Sequence, residues 1–305
     1  MDMERCFLSN DRILMEGALG ERLKREYQIP FDEHIMMAGL IYKEAGRAAL
    51  YELWRQYIEI AQKYDLPFLA TTPTRRANRE RVQKAGMDRT VIDDNVQFLQ
   101  RLKQESGIEM YVGGLMGCRD DAYTGEGAMT ENDSREFHGW QANCFKEAGA
   151  DFLYAGIMPA LSEAEGMAKA MSDTALPYII SFTVQRDGRL IDGTTIHQAI
   201  ADIDESTEHK PLCYMANCVH PSIVYKALSQ SFNETKLVKT RFLGIQANTS
   251  PLAYSELDGA KDLKCSDPES FAQEMMRLKK DKGLKILGGC CGTDHRHMEE
   301  IAKRL

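Results

Sequence analysis

Eight short apolar runs, spread from one end of the 305-residue chain to the other, limit its possible folds more than any other feature. They read ILMEGALG (13–20), PFLATTPT (67–74), EMYVGGLMG (109–117), DFLYAGIM (151–158), PYIISFTV (177–184), LCYMANCV (212–219), RFLGIQANT (241–249) and KILGGCCGT (285–293). Longer amphipathic stretches lie between them, at 46–65, 88–106, 130–150, 160–173 and 268–283. In the first of these, Leu50, Leu53, Trp54, Tyr57, Ile58 and Ala61 share one helical face. Strands that alternate with helices pair in parallel through right-handed crossovers. Eight such units predict an α/β chain folded as a single (β/α)8 TIM barrel over residues 1–305, in preference to an open sheet with an added domain. Glu16, Gly17, Thr71, Thr72, Gly114, Asn217, Cys218, Asn248, Cys290 and Cys291 all fall toward the C-terminal ends of the expected strands. That end of a barrel carries the active site.

The charge balance narrows the partners. A net charge of −8 without a basic cluster disfavours nucleic acid and anionic membranes and favours a small-molecule substrate. No run approaches the roughly 18 apolar residues of a membrane span, and the first residues do not resemble a secretory signal. A cytoplasmic protein is expected. Its eight cysteines would stay reduced there, which favours metal binding or catalysis over a disulfide framework.

Two of those cysteines are adjacent, in KILGGCCGTDHRH (285–297). An unstrained disulfide between neighbours is disfavoured by geometry. Consecutive side chains of a straight strand also point to opposite faces, so Gly288, Gly289 and Gly292 are expected to supply a turn that brings Cys290 and Cys291 to one side. A zinc site needs a third protein ligand. Cys218, at the end of the sixth strand, is the best placed, with Cys118 as its competitor. Cys144 and Cys213 read as core residues, and Cys6 and Cys265 fall in weakly patterned segments. Asp294 is expected to cap the last helix, leaving His295 and His297 on its exposed first turn. Asp32, Glu33 and His34 begin a cobalamin-like motif, but Met37 stands where it needs glycine. The chain is therefore not expected to bind cobalamin itself.

LMEGALGERL (14–23), ATTPTRRAN (70–78), DAYTGEGAMT (121–130), PYIISFTV (177–184), ANCVHP (216–221) and GGCCGTDHRHMEEI (288–301) together resemble the zinc-dependent homocysteine S-methyltransferases. That family includes the homocysteine-binding module of cobalamin-dependent methionine synthase and the betaine and S-methylmethionine enzymes. The resemblance implies a (β/α)8 barrel, a Zn²⁺ held by Cys218, Cys290 and Cys291, and catalysis through that metal. It further implies a substrate-binding opening loop at Glu16, Gly17, Ala18 and Leu19, with Asn217 beside the site. The expected reaction moves a methyl group from a small-molecule or corrinoid donor to homocysteine, giving methionine. Because no cobalamin-binding segment is expected here, a separate corrinoid protein is a candidate donor. Two positions depart from the family pattern. Glu16 stands where the family usually has Asp, and Gly156 stands where a substrate-holding glutamate is common. Glu163 and Glu165 are candidate substitutes for that glutamate, and a different thiol or selenol is the alternative acceptor. A non-catalytic zinc site is a further alternative. Tyr123, Tyr154 and Phe182 are candidate walls for a cationic donor, with core packing the competing role for Phe182.

Overall fold

The computed structural model describes residues 2–251 and 266–305. All eight apolar runs form strands: β1 (Ile13–Met15), β2 (Phe68–Thr71), β3 (Met110–Gly117), β4 (Phe152–Met158), β5 (Tyr178–Phe182), β6 (Cys213–Val219), β7 (Phe242–Ala247) and β8 (Ile286–Gly289). Each pairs in parallel with the next, and β8 pairs with β1 to close a (β/α)8 barrel. The strands β1, β2 and β8 end earlier than their apolar runs. Residues 16–19, 72–74 and 290–293 leave the sheet to form the rim, and their backbone groups bond across it.

Strand alternation sorts side chains into two layers. Ile13, Met15, Leu69, Tyr111, Phe152, Tyr154, Ile179, Cys213, Met215 and Ile286 fill the barrel interior, where Met3, Cys6 and Phe7 of the helix Met3–Ser9 pack against them. The opposite faces meet the crossover helices. Leu50, Leu53, Trp54, Tyr57, Ile58 and Ala61 of the helix Glu44–Lys63 are buried there, as the periodicity requires. The other long amphipathic stretches form the helices Thr90–Ser106, Glu131–Ala148, Leu161–Ser172 and Pro268–Lys282. None of the described helices is long and apolar enough to cross a membrane.

Two strands break their regular course near the C-terminal rim. In β4, Ile157 has φ 59°, and the pairing with β5 shifts register between Ala155 and Met158. In β6, Cys218 has φ 56°, and the pairing with β7 shifts between Asn217 and Val219. A left-handed backbone at a residue with a side chain costs about 1–2 kcal/mol, and such conformations concentrate at functional sites.

Candidate metal centre

The irregularity in β6 decides where Cys218 points. Cys213, Met215 and Asn217 occupy inward positions by alternation, so a regular strand would turn Cys218 toward the helices. The left-handed residue inserts a bulge and re-aims the thiol over the barrel mouth. Asn248 holds the bulge by donating from Nδ2 to the Cys218 carbonyl at 2.9 Å.

Across the mouth, Cys290 and Cys291 follow β8. The Cys290 amide continues the ladder, donating to Ala247 O at 2.7 Å, and the Cys291 carbonyl accepts from Thr249 N at 3.2 Å. The turn comes at Gly292, where φ is +83° and an added Cβ would stand 2.0 Å from Thr249 Oγ1. Gly288 and Gly289 act differently from the expectation. Both lie in β8 with no left-handed backbone, so neither makes the turn. They are small because Met15 on one side and Thr293 on the other fill the space a side chain would take. Thr293 Oγ1 donates to Cys290 O at 2.7 Å and accepts from Ala18 N at 3.0 Å, tying the cysteine turn to the opening loop. Glu21 adds a second tie by accepting from Gly292 N.

The sulfur atoms of Cys218, Cys290 and Cys291 lie within 4.8 Å of one another. Cys218 and Cys290 are half-buried and Cys291 is exposed. Hydrogen bonds from Cys290 and Cys291, with a smaller one from Tyr123, hold the Cys218 thiol well below its ordinary range. The same contacts push Cys290 well up and Cys291 up to about 12. The cluster thus gives up one proton easily and keeps the next two. A thiophilic divalent cation would displace those two, because coordination deprotonates a thiol outright. Three sulfurs at this spacing fit zinc and leave the fourth position of a tetrahedral ion to another ligand.

Cys118 does not join them. It is buried, contacts Asp120 O at 3.7 Å, and has its thiol raised to about 12 by burial. Cys144 and Cys213 are buried core residues, as expected, and Cys6 is buried in the N-terminal helix. Cys265 lies outside the described residues.

The opening loop lies beside the thiols. Glu16 is 2% exposed; its Oε1 accepts from Thr71 Oγ1 at 2.6 Å and Gln246 Nε2 at 3.3 Å, and its Oε2 from Thr71 N at 3.2 Å. Burial raises its carboxyl to about 8 despite these bonds. A Cβ on Gly17 would stand 2.7 Å from the Tyr57 hydroxyl, which donates to Ala18 O at 2.8 Å and accepts from Arg22 at 3.2 Å. Leu19 is half-buried and packs on the core at the start of the helix Gly20–Arg25. Asn217 is a strap across the barrel wall: its Oδ1 accepts from Ile157 N at 2.8 Å and from Ser181 Oγ at 2.7 Å. A side chain at Gly156 would begin 3.6 Å from Asn217 Nδ2 and 2.9 Å from Leu115.

The substitutes offered for the missing glutamate are committed elsewhere. Glu163 is fully buried and accepts from Arg119 N at 2.7 Å beside His138 Nε2 at 3.0 Å, and Glu165 faces Lys169 at 3.6 Å. Of the three aromatic candidates, only Tyr123 reaches the thiols. Tyr154 is an interior residue bonded to Gln246 at 3.3 Å, and Phe182 stacks on Tyr214 with centroids 5.7 Å apart. One expectation needs correction. Asp294 caps the helix His295–Ala302 and His295 is exposed, but His297 is 2% exposed. Its imidazole completes the capping box with Asp294 and bonds Ser266 O at 3.1 Å, which turns it inward.

Sequence reasoning missed Thr293, Gln246, Tyr57 and Glu21, which act only through contacts distant along the chain. The threonine after GGCCG carried the one local signal, a hydroxyl poised at a turn.

The homocysteine S-methyltransferase family model matches residues 13–305. The chain belongs to that family. It is 26% identical over 186 residues to homocysteine S-methyltransferase YbgG of Bacillus subtilis, covering 59% of this chain and 55% of that protein. It is 25% identical over 182 residues to homocysteine S-methyltransferase 2 of Arabidopsis thaliana, covering 58% and 52%. The chain thus spans about half the length of the curated relatives it matches. The homocysteine methyltransferase MmuM of Escherichia coli in its metallated form shares the fold, with a TM-score of 0.78, 18% identity and 99% of each chain covered.

Proposed function

We propose that this family member is a zinc-dependent S-methyltransferase that methylates the sulfur of homocysteine to give methionine. The observation that carries the reading is the three thiols, within 4.8 Å of one another at the C-terminal mouth of the barrel. Zn²⁺, when bound by Cys218, Cys290 and Cys291, supplies a Lewis acid that keeps a thiol deprotonated at neutral pH. The chain's own residues do the rest. The bulge at Cys218 and the turn at Gly292 aim the ligands, and Thr293 fixes the opening loop of Glu16, Gly17, Ala18 and Leu19 beside them. Asn217 braces the wall on the far side.

Methyl transfer to sulfur needs aligned reactants more than acid–base help, and no histidine is assigned to the chemistry. The methyl donor is a small molecule or a separate corrinoid protein, and neither nucleic acid nor membrane takes part. We place the reaction in the cytoplasm, where the thiols stay reduced, and treat residues 1–305 as one catalytic domain. Gly156 favours one second reading, the same reaction on another thiol or selenol, because no side chain there can grip an amino group.

Calorimetric titration of homocysteine into zinc-loaded protein, with proton release followed in parallel, tests this. Binding with release of about one proton, abolished by Cys290→Ala, is expected. Absence of binding at full zinc occupancy would eliminate homocysteine and move the search to other thiols.

A further inference from the structure

Behind the opening loop, two side chains of the helical layer converge on one backbone carbonyl. Tyr57, in the helix Glu44–Lys63, is buried and donates its hydroxyl hydrogen to Ala18 O at 2.8 Å. Its ring lies against Gly17, where an added Cβ would meet the hydroxyl oxygen at 2.7 Å and two ring carbons at 2.9 Å. The glycine is what lets the loop backbone come this close.

A tyrosine hydroxyl has one hydrogen and rotates to suit its surroundings. Its direction here is fixed by Arg22, on the helix Gly20–Arg25, whose Nη1 donates to the same oxygen at 3.2 Å. A guanidinium carries donors only, so the hydroxyl oxygen accepts from Arg22 and its hydrogen is left for Ala18. Arg22 is itself 5% exposed. Its Nε and Nη2 fork onto Glu26 at 2.7 and 2.8 Å, and Nη2 also reaches Gln56 Oε1 at 2.9 Å. Such a bidentate pair fixes the plane of the guanidinium.

Ala18 is thereby gripped from both sides. Its amide donates to Thr293 Oγ1 at 3.0 Å, and that hydroxyl donates to Cys290 O at 2.7 Å. A continuous run of hydrogen bonds thus joins Glu26, Arg22, Tyr57, Ala18 and Thr293 to the cysteine turn.

We propose that Tyr57 and Arg22 are positioning residues for the reaction: Arg22 orients the Tyr57 hydroxyl, and Tyr57 holds the opening loop in the arrangement that meets the acceptor thiol. The inference rests on the acceptor reading above. The rival role is packing stability alone, in which the pair joins two helices and the loop is indifferent to it.

Two measurements on zinc-loaded protein separate these roles: homocysteine affinity by calorimetry, and hydrogen exchange over residues 16–20 with no thiol present. Tyr57→Phe keeps the ring and removes the bond. It is expected to weaken homocysteine about five- to twentyfold and to speed exchange in the loop about tenfold, with zinc retained. Arg22→Met should act in the same direction by about two- to fivefold. It should add nothing in the Tyr57→Phe background, because its effect passes through that hydroxyl. Should Tyr57→Phe fail to fold, Arg22→Met alone carries both readouts. Asn95→Ala removes buried bonds to Ala38 O and Val91 O, away from the loop, and should leave both readouts within about twofold. Unchanged loop exchange, unchanged homocysteine affinity, independent effects of Tyr57 and Arg22, or equal changes in Asn95→Ala would each overturn the assignment while leaving the acceptor reading intact. Wild-type protein that holds zinc and binds no homocysteine would overturn the acceptor reading, and the exchange comparison would still decide whether the pair holds the loop.

Discussion

Glu16→Gln probes how the barrel mouth treats buried charge. The carboxyl is 2% exposed, and its hydrogen bonds from Thr71 and Gln246 only partly offset burial, so its pKa rises from 4.5 to about 8. The unfolded chain releases that proton near 4.5, whereas the folded protein keeps it to about 8. Between those values the folded state binds more protons than the unfolded one, so stability falls as pH rises. At about 1.4 kcal/mol per pH unit, the full interval amounts to about 5 kcal/mol. Water entering the mouth relieves part of it, so a loss of about 3–5 kcal/mol is expected by about pH 9. The amide of the variant cannot ionise and escapes the loss. Urea denaturation of reduced, chelated wild type and variant, from about pH 5 to 9, reads the difference. Thiol titration is common to both proteins and cancels. The two should agree within about 1 kcal/mol at the acid end, and the variant should become the more stable as pH rises. A difference that stays constant with pH, or one that grows in favour of wild type, would refute the reasoning.

Gly292→Ala forces a side chain onto a left-handed residue and against Thr249. It should cost about 2–5 kcal/mol in urea denaturation and weaken zinc in competition with a chromophoric chelator. Asn217→Ala leaves Ile157 N and Ser181 Oγ without their acceptor; a loss of about 2–4 kcal/mol is expected, with zinc still bound at one ion per chain. Cys118→Ala should leave zinc stoichiometry unchanged and Cys218→Ala should abolish tight binding, both measured by metal analysis after dialysis; loss of metal from the first variant would put Cys118 in the site.

Alternation of apolar runs and amphipathic stretches made the barrel legible, because each signal is local and repeats eight times. That Cys218, Cys290 and Cys291 would come together was legible for a related reason: adjacent thiols among glycines and a cysteine at the end of the sixth strand both fall at the same end of the barrel. What decides their geometry was hidden. Nothing local in MANCVHP announces a left-handed Cys218; the bulge depends on pairing with β7 and on Asn248. The role of the GGCC glycines was misassigned in part for the same reason, since the space at Gly288 and Gly289 is taken by Met15 and Thr293 from other segments. His297 looked exposed because helix position alone says little about a capping imidazole that folds back on Asp294.

The most direct test of the account is X-ray absorption at the zinc edge of the loaded protein, before and after homocysteine is added. Three sulfur neighbours and one lighter atom, becoming four sulfurs with homocysteine, is the predicted result. Four sulfurs from the start, or an edge unchanged by homocysteine at full occupancy, would contradict the assignment of Cys218, Cys290 and Cys291 as an open, thiol-accepting centre.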